Sequence, residues 1–311
     1  MPDIVGLGEI VVDMVLKVPH LPEPDEKVDS TYQARFPGGV TANYVTAVSR
    51  LGTTSGFIGA VGDDPEGEYL IQDLKNEKID TKLTLMKKGK PTPVNYVVVV
   101  ERGQKIIIQS PHMLTTKLDV KDIRIEHFSK SKLLHTTAIH PQLSIHAARM
   151  AKRNGAAVSF DLEKQVAIRG WEDLKEMVKL TDVLLPQKGG AMELTHSPSV
   201  EEAANTLLRK GPSLVVITLG EKGCLVATKK SMKVIPSFKV GVVDTTGAGD
   251  AFNGGFTIAY MKGLTPEGAA IFANAVAALK CTGLGARTCL PTLKQVREFL
   301  ETQTKNSIQL P

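Results

Sequence analysis

The stretch richest in usable chemistry is Val242-Val243-Asp244-Thr245-Thr246-Gly247-Ala248-Gly249-Asp250-Ala251-Phe252-Asn253-Gly254-Gly255-Phe256. It reads as an apolar strand running into a Gly-rich turn that opens a helix. Such a turn offers backbone N–H groups and the positive end of the helix to an anion, as a phosphate cradle does. Gly247 and Gly249 let the backbone approach the anion closely. Asp250 falls in the first helical turn. There a carboxylate within hydrogen-bond reach of an acceptor hydroxyl can take its proton while the N–H groups stabilise charge on a transferring phosphoryl group. For G-x-G-D alone, an acid placed for the helix dipole would be the better explanation; the fuller string is far more specific.

A cradle of this kind needs a sheet to hold it. From Thr54 onward, short runs rich in β-branched residues alternate with segments of helical period. The pattern predicts strands at 55–61, 132–137, 157–160, 182–185 and 214–218, and helices at 42–51, 66–77, 143–154 and 201–210. Alternation of this type implies βαβ units around a mainly parallel sheet. Two regions break the rhythm. Residues 27–36, and the pair 93–100 and 105–109 joined by Glu101-Arg102-Gly103-Gln104, read as extended ribbons, the second a hairpin, and suit a small β lid. After Gly247 come helices rich in small residues at 248–262, 266–281 and 293–302. With no internal repeat and no low-complexity linker, a single domain over 1–311 is expected, its lid formed by about 14–36 and 92–110.

Composition narrows the function classes. With 42% apolar and 23% charged residues, and no run approaching ~18 apolar residues, a soluble chain without a membrane span is expected. The N-terminus lacks a positive stretch before its apolar run, and Cys224, Cys281 and Cys289 contain no C-x-x-C pair, which suits a reducing cytoplasm. The net charge of +5 is scattered among 33 acids, so nucleic acid is not an expected partner. His135, His140 and His146 match no familiar zinc spacing. No G-x-x-x-x-G-K-[ST] loop is present, which removes the P-loop kinases, and Gly6-Leu7-Gly8 has Val11 where a dinucleotide fingerprint needs its third glycine.

Taken whole, D-T-x-G-A-G-D-x-x-x-G-G at Asp244–Gly255 resembles the second signature of the ribokinase family, the PfkB carbohydrate kinases. The segment Phe36-Pro37-Gly38-Gly39-Val40-Thr41-Ala42-Asn43 resembles its first signature, although Thr41 and Val45 replace small residues. Gly8-Glu9-Ile10-Val11-Val12-Asp13 resembles the opening strand, and Val215-Val216-Ile217-Thr218-Leu219-Gly220-Glu221-Lys222-Gly223 resembles the nucleotide strand and turn. The likeness runs from about 3 to 291. It implies a ribokinase-like α/β fold: a central, mostly parallel sheet flanked by helices, with a small β-sheet lid that often serves as a dimer clasp.

By that resemblance Asp250 is the catalytic base, and Gly247, Ala248 and Gly249 form the anion hole. Asp13, Gly38, Gly39 and Asn43 meet the acceptor, while Gln187, Thr218, Gly220, Gly223 and Asn274 lie along the nucleotide. Asp244 and Thr246 match positions near a monovalent-cation site for K⁺, yet Cys289 stands where a hydroxyl is common in the opposite wall. Leu185-Pro186-Gln187-Lys188-Gly189-Gly190 carries Gln187 and Gly190 in place of the N-x-x-E that organises Mg²⁺, so a glutamate restored at 190 is expected to lower the Mg²⁺ requirement. The implied reaction is ATP-dependent phosphorylation of a sugar or sugar acid. A nucleoside kinase would need an apolar or aromatic lid surface to stack a base, for which Phe36 and Tyr96 are the obvious candidates; a non-catalytic sugar-binding relative would not need Asp250.

Overall fold

Nine strands build the central sheet of the computed structural model, which describes residues 2–100 and 105–303. At its centre β1 (Ile4–Leu7) lies parallel between β4 (Ser55–Gly62) and β8 (Leu133–Thr136). The sheet continues in parallel through β9 (Ala157–Leu162), β10 (Val183–Pro186) and β11 (Leu214–Thr218). It closes with the antiparallel β12 (Cys224–Thr228) and β13 (Met232–Ile235), and β5 (Thr84–Lys87) borders β4 at the far edge. The inner strands are nearly continuous buried runs, as expected where helices cover both faces.

Alternation along each strand divides the core in two. Leu214 and Val216 face one layer while Val215 and Ile217 face the other. The first layer packs under α1 (Val40–Arg50), α2 (Pro65–Asn76), α8 (Ala248–Met261), α9 (Pro266–Lys280) and α10 (Leu293–Gln303), around Tyr44, Phe57, Phe256 and Phe272. The second packs under α3 (Pro141–Arg153), α5 (Trp171–Leu180), α6 (Lys188–Thr195) and α7 (Val200–Leu208), around Phe128, Phe160 and Leu207. A single helical turn, α4 (Lys164–Ala167), follows β9. Thr41 and Val45 fit because glycines stand opposite them, Gly8 just past the end of β1 and Gly6 within it. A Cβ on Gly8 would lie 2.0 Å from Thr41 Oγ1, and one on Gly6 would lie 2.5 Å from Val45 Cγ1.

The lid is a separate four-stranded sheet, ordered β3-β2-β6-β7. It comprises β2 (Val11–Val18), β3 (Tyr32–Gly38), β6 (Val94–Val100) and β7 (Lys105–Ile108), so residues 93–100 and 105–109 pair as expected. The turn at 101–104 lies outside the described residues. Two expectations need correction. The opening segment is not one strand: β1 ends at Leu7, and the chain passes through Gly8–Ile10 out of the main sheet and into the lid. Nor do Val242 and Val243 form a strand. They are 62% and 63% exposed, and the amides of Val243 and Asp244 bond instead to the Cys281 carbonyl at the end of α9, at 2.8 and 3.2 Å. Among the described residues no helix is long and apolar enough to cross a membrane.

Asp64 couples the two sheets. It caps α2 by accepting from the Gly67 amide at 2.9 Å, and it accepts from the Thr92 amide at 2.7 Å just ahead of β6. The Thr92 hydroxyl also bonds to Asp64 and in turn accepts from the Gly62 amide at 2.9 Å. Asp64→Ala should therefore lower stability by about 1–2 kcal/mol, as the loss of a cap typically does, seen as an earlier urea midpoint at unchanged slope. An unchanged midpoint would remove Asp64 from this role.

Candidate active site

The head of α8 is shaped by Gly247, whose φ of 78° and ψ of 2° are left-handed. A Cβ there would also sit 2.6 Å from the Ala286 carbonyl oxygen, so any other residue would be strained twice. A helix start leaves N–H groups without intrahelical partners, and Thr245, Gly247, Gly249 and Asp250 line a cleft of about 610 Å³ at this point. A Cβ on Gly249 would meet nothing within 4 Å. The space there is open to a ligand rather than taken up by packing.

Asp250 is buried at this head. Its Oδ2 accepts from Asn43 Nδ2 at 2.7 Å, and Asn43 Oδ1 accepts from Arg287 Nε at 2.8 Å. Arg287 is almost entirely buried, donates to the Gly38 carbonyl at 2.8 Å and pairs with Asp73. Asn43 thus transmits the hold of a guanidinium to the carboxylate while keeping the two groups apart. Burial pushes the Asp250 carboxyl up to about 7; the Asn43 amide opposes that rise, Glu163 adds to it, and the Arg287 and Lys280 charges counter it.

Asp250 belongs to a group of acids. Burial and the charge of Glu163 push Glu9 up to about 7, although Thr137 donates to its Oε2 at 2.9 Å. Asp161 is driven well above its ordinary range by burial and then by Glu163, Asp250 and Glu9. Burial also raises Glu163, against donation from Gln165 and Gln187.

The lid supplies the facing wall. Asp13 Oδ1 accepts from Asn95 Nδ2 at 3.2 Å, and both residues line the cleft. Gly38 makes room for that carboxylate, since a Cβ on it would lie 2.2 Å from Asp13 Oδ2. Gly39, with φ 95°, turns the chain from β3 into α1 and so positions Asn43. Asp13, Gly39, Asn43, Gln187, Thr246 and Asp250 therefore share one cleft.

Thr218, Gly220 and Gly223 lie apart from it, in the strand end and turn between β11 and β12, next to Gln187 through a bridge between Gln187 and Thr218. Gly223 is held by packing: a Cβ would meet the Ile235 carbonyl oxygen at 2.0 Å. Asn274 is buried, and its amide donates to the carbonyls of Ile235 and Pro236 at 3.3 and 3.0 Å. It braces that wall.

Two expected metal positions change. A side chain at 190 does not fit, because a Cβ on Gly190 would lie 2.2 Å from the Leu162 carbonyl oxygen. Restoring a glutamate there would force β9 and α6 apart. The carboxylate facing this part of the cleft is Glu163, whose Oε1 is 3.4 Å from Gln187 Nε2. At Asp244 the chain supplies a charge of its own: the Lys280 ammonium donates to the Asp244 carbonyl oxygen at 2.8 Å. Sequence reasoning missed Glu9, Asp161, Glu163, Lys280 and Arg287 as members of the site; the acid spacing in Asp161-Leu162-Glu163 after a predicted strand was the one available signal.

Comparison with known proteins gives one consistent answer. The pfkB family carbohydrate kinase profile matches residues 1–293. Ribokinase from Haemophilus influenzae is 30% identical over 306 residues, covering 95% of this chain and 97% of its own length. The crystal structure of ribokinase from Thermotoga maritima superposes with a TM-score of 0.83 at 30% identity, covering 97% of this chain and all of its own. A Vibrio cholerae fructokinase variant, solved with fructose, ADP and potassium ion bound, superposes with a TM-score of 0.78 at 30% identity, covering 96% and 98%.

The raised carboxyl of Asp250 has a consequence for stability. A carboxyl raised in the folded state contributes stability that is complete below the unfolded value near 4 and is lost as pH rises through about 7. Asp250→Asn removes that dependence. The melting temperature of the variant should gain on that of the native protein between pH 5 and pH 8; a difference that stays flat across this range would contradict the burial of the carboxyl.

Proposed function

The chain belongs to the pfkB family of carbohydrate kinases, and from that premise we propose that it transfers the γ-phosphoryl group of ATP to a hydroxyl of a sugar or sugar acid. The observation that carries this reading is a buried carboxylate at the head of α8, held by Asn43 and facing lid groups across one cleft.

In this reading the acceptor lies between Asp250 and the lid, gripped by Asp13 and Asn43. Asp250 accepts the hydroxyl proton as the oxygen attacks. The N–H groups around Gly247, Ala248 and Gly249 stabilise charge on the phosphoryl oxygens, which is where most catalysis of such transfers resides. ATP brings Mg²⁺, which neutralises phosphate charge when bound. Glu163 and Gln187 are the donors suited to its side of the cleft, in the role that Gly190 cannot fill. The nucleotide itself runs toward Thr218 and Gly220, along the wall that Gly223 and Asn274 brace.

A sugar suits the lid better than a nucleoside does. Tyr96 pairs with Met14 and Ile108 on the outer face, the opposite side from Asn95, and Phe36 packs near Gly285. The groups that reach the cleft from the lid are Asp13, Asn95 and Gln109, with Val11 and Ile107. The three polar ones hydrogen-bond hydroxyls, and none of the five offers a base a ring to stack on. Cys224, Cys281 and Cys289 are free thiols, which supports a reducing, cytoplasmic setting.

The outer face of the lid supports a homodimer. Tyr96, Ile106 and Ile108 share it and are 49%, 46% and 58% exposed, a cluster that a second copy would cover. Sedimentation equilibrium should give a dimer for the native chain and a monomer for Ile106→Lys/Ile108→Lys; a native monomer at micromolar concentration would end this assignment.

The reaction itself is tested by ADP release from Mg-ATP with a panel of sugars, sugar acids and nucleosides. With the best acceptor, Asp250→Asn should reduce kcat by about 10²–10⁴-fold, the usual contribution of a general base, with a much smaller change in acceptor KM and intact ATP binding by calorimetry. A variant that keeps near-native kcat would remove Asp250 from the base role.

A further inference from the structure

Lys280, the last residue of α9, is wholly shielded from solvent. A lysine is almost never fully buried unless its charge has partners. Its Nζ donates to the carbonyl oxygen of Asp244 at 2.8 Å, in the loop that leads to the head of α8. The Asp244 carboxylate ties the same loop together: Oδ1 accepts from the Thr246 amide at 2.8 Å and hydroxyl at 2.6 Å, and Oδ2 accepts from the Gly285 amide at 2.8 Å. The positive charge of Lys280 reaches both carboxylates that bracket this loop, opposing the upward push of burial on Asp244 and on Asp250.

A backbone carbonyl oxygen is the kind of ligand a hard cation takes, and here an ammonium, itself a monovalent cation with three donor hydrogens, has taken it. We infer that Lys280 is a built-in monovalent cation, supplying from within the chain the charge that a bound potassium ion would bring to residues 244–247. The protein then neither needs nor binds potassium at this place. The position suits a cation for a further reason, since the C-terminal end of a helix carries partial negative charge. A tethered charge is present at every salt concentration, whereas a bound ion must be paid for by its own binding equilibrium. The inference rests on the kinase reading only for what the loop does during transfer.

Thermal unfolding in choline, sodium and potassium chlorides at one ionic strength tests it without an acceptor. The native chain should melt at the same temperature in all three. Lys280→Met, which keeps an unbranched apolar stem and removes the charge, should melt lower in choline and recover by at least about 2 °C in potassium, a readable shift for a chain of this size, as the ion enters the vacated place. A potassium-specific rise in the native chain would overturn the inference. So would a variant as stable as native, or one less stable in all salts with no potassium response, which would leave Lys280 an ordinary structural hydrogen-bond donor. If Lys280→Met does not fold, Lys280→Gln is melted in the same salts. If neither folds, the native chain decides, its indifference to potassium supporting the inference and a response refuting it. Failure of every acceptor in the kinase panel would count against the proposed reaction and leave these melting results standing.

Discussion

Burying the carboxylate of Asp250 at the head of α8 strips it of water, and the helix N-terminus alone returns only part of that lost solvation. The remainder comes from a chain of contacts through Asn43 to Arg287, whose own charge is met by Asp73 and by the Gly38 carbonyl. Five separate parts of the fold are held in register by this arrangement: α8, α1, α2, the end of β3 and the loop at 285–289. Because each partner is buried, removing one leaves another uncompensated, and the cost of that exceeds the worth of any single bond. A neutral amide between Arg287 and Asp250 has a second effect. A direct ion pair would hold the carboxyl low, whereas with Asn43 interposed, burial wins and the carboxyl rises to about 7.

The same place is where the two sheets meet. The chain leaves the main sheet after Leu7 and turns from the lid into α1 through Gly38 and Gly39, so that Glu9, Asp13, Gly39 and Asn43 come to line one cleft. Asp13 and Asn95, adjacent in the lid ladder, then point at the cleft, while Met14 and Tyr96, one residue later on each strand, point away. The period of two in a β-strand thus sets Asp13 and Asn95 on the cleft side of the lid and Met14 and Tyr96 on its outer side.

Charge around the α8 head is arranged by sign. Positive groups, Lys280 and Arg287, sit on the protein side; Glu163 and Glu9 gather on the side of the cleft with Asp250. Burial first, and then the nearness of other acids, raises the carboxyls of Glu9, Asp161 and Asp250, and burial raises Glu163. Such a cluster suits a cleft that takes in a positively charged species with its substrate.

The sequence by itself determined the fold class, the lid and most of the cleft. Hydrophobic runs with period near two or 3.6 report local burial, so the strands at 157–162 and 214–218 and the helices at 248–261 and 266–280 were legible within a few residues. The Gly-rich string before Asp250 was legible because a left-handed turn and a close backbone approach restrict residue type at fixed spacing. Tertiary structure decided what depends on distance between remote residues. Arg287 lies 244 residues from Asn43, Lys280 is 36 from Asp244, and neither pairing leaves a periodic trace. It also decided the strand break at Gly8–Ile10, since an apolar run looks alike whether it crosses one sheet or two. The vacancy at Gly190 looked like a lost carboxylate in the sequence; in the fold it is a contact between α6 and the end of β9, where no side chain fits.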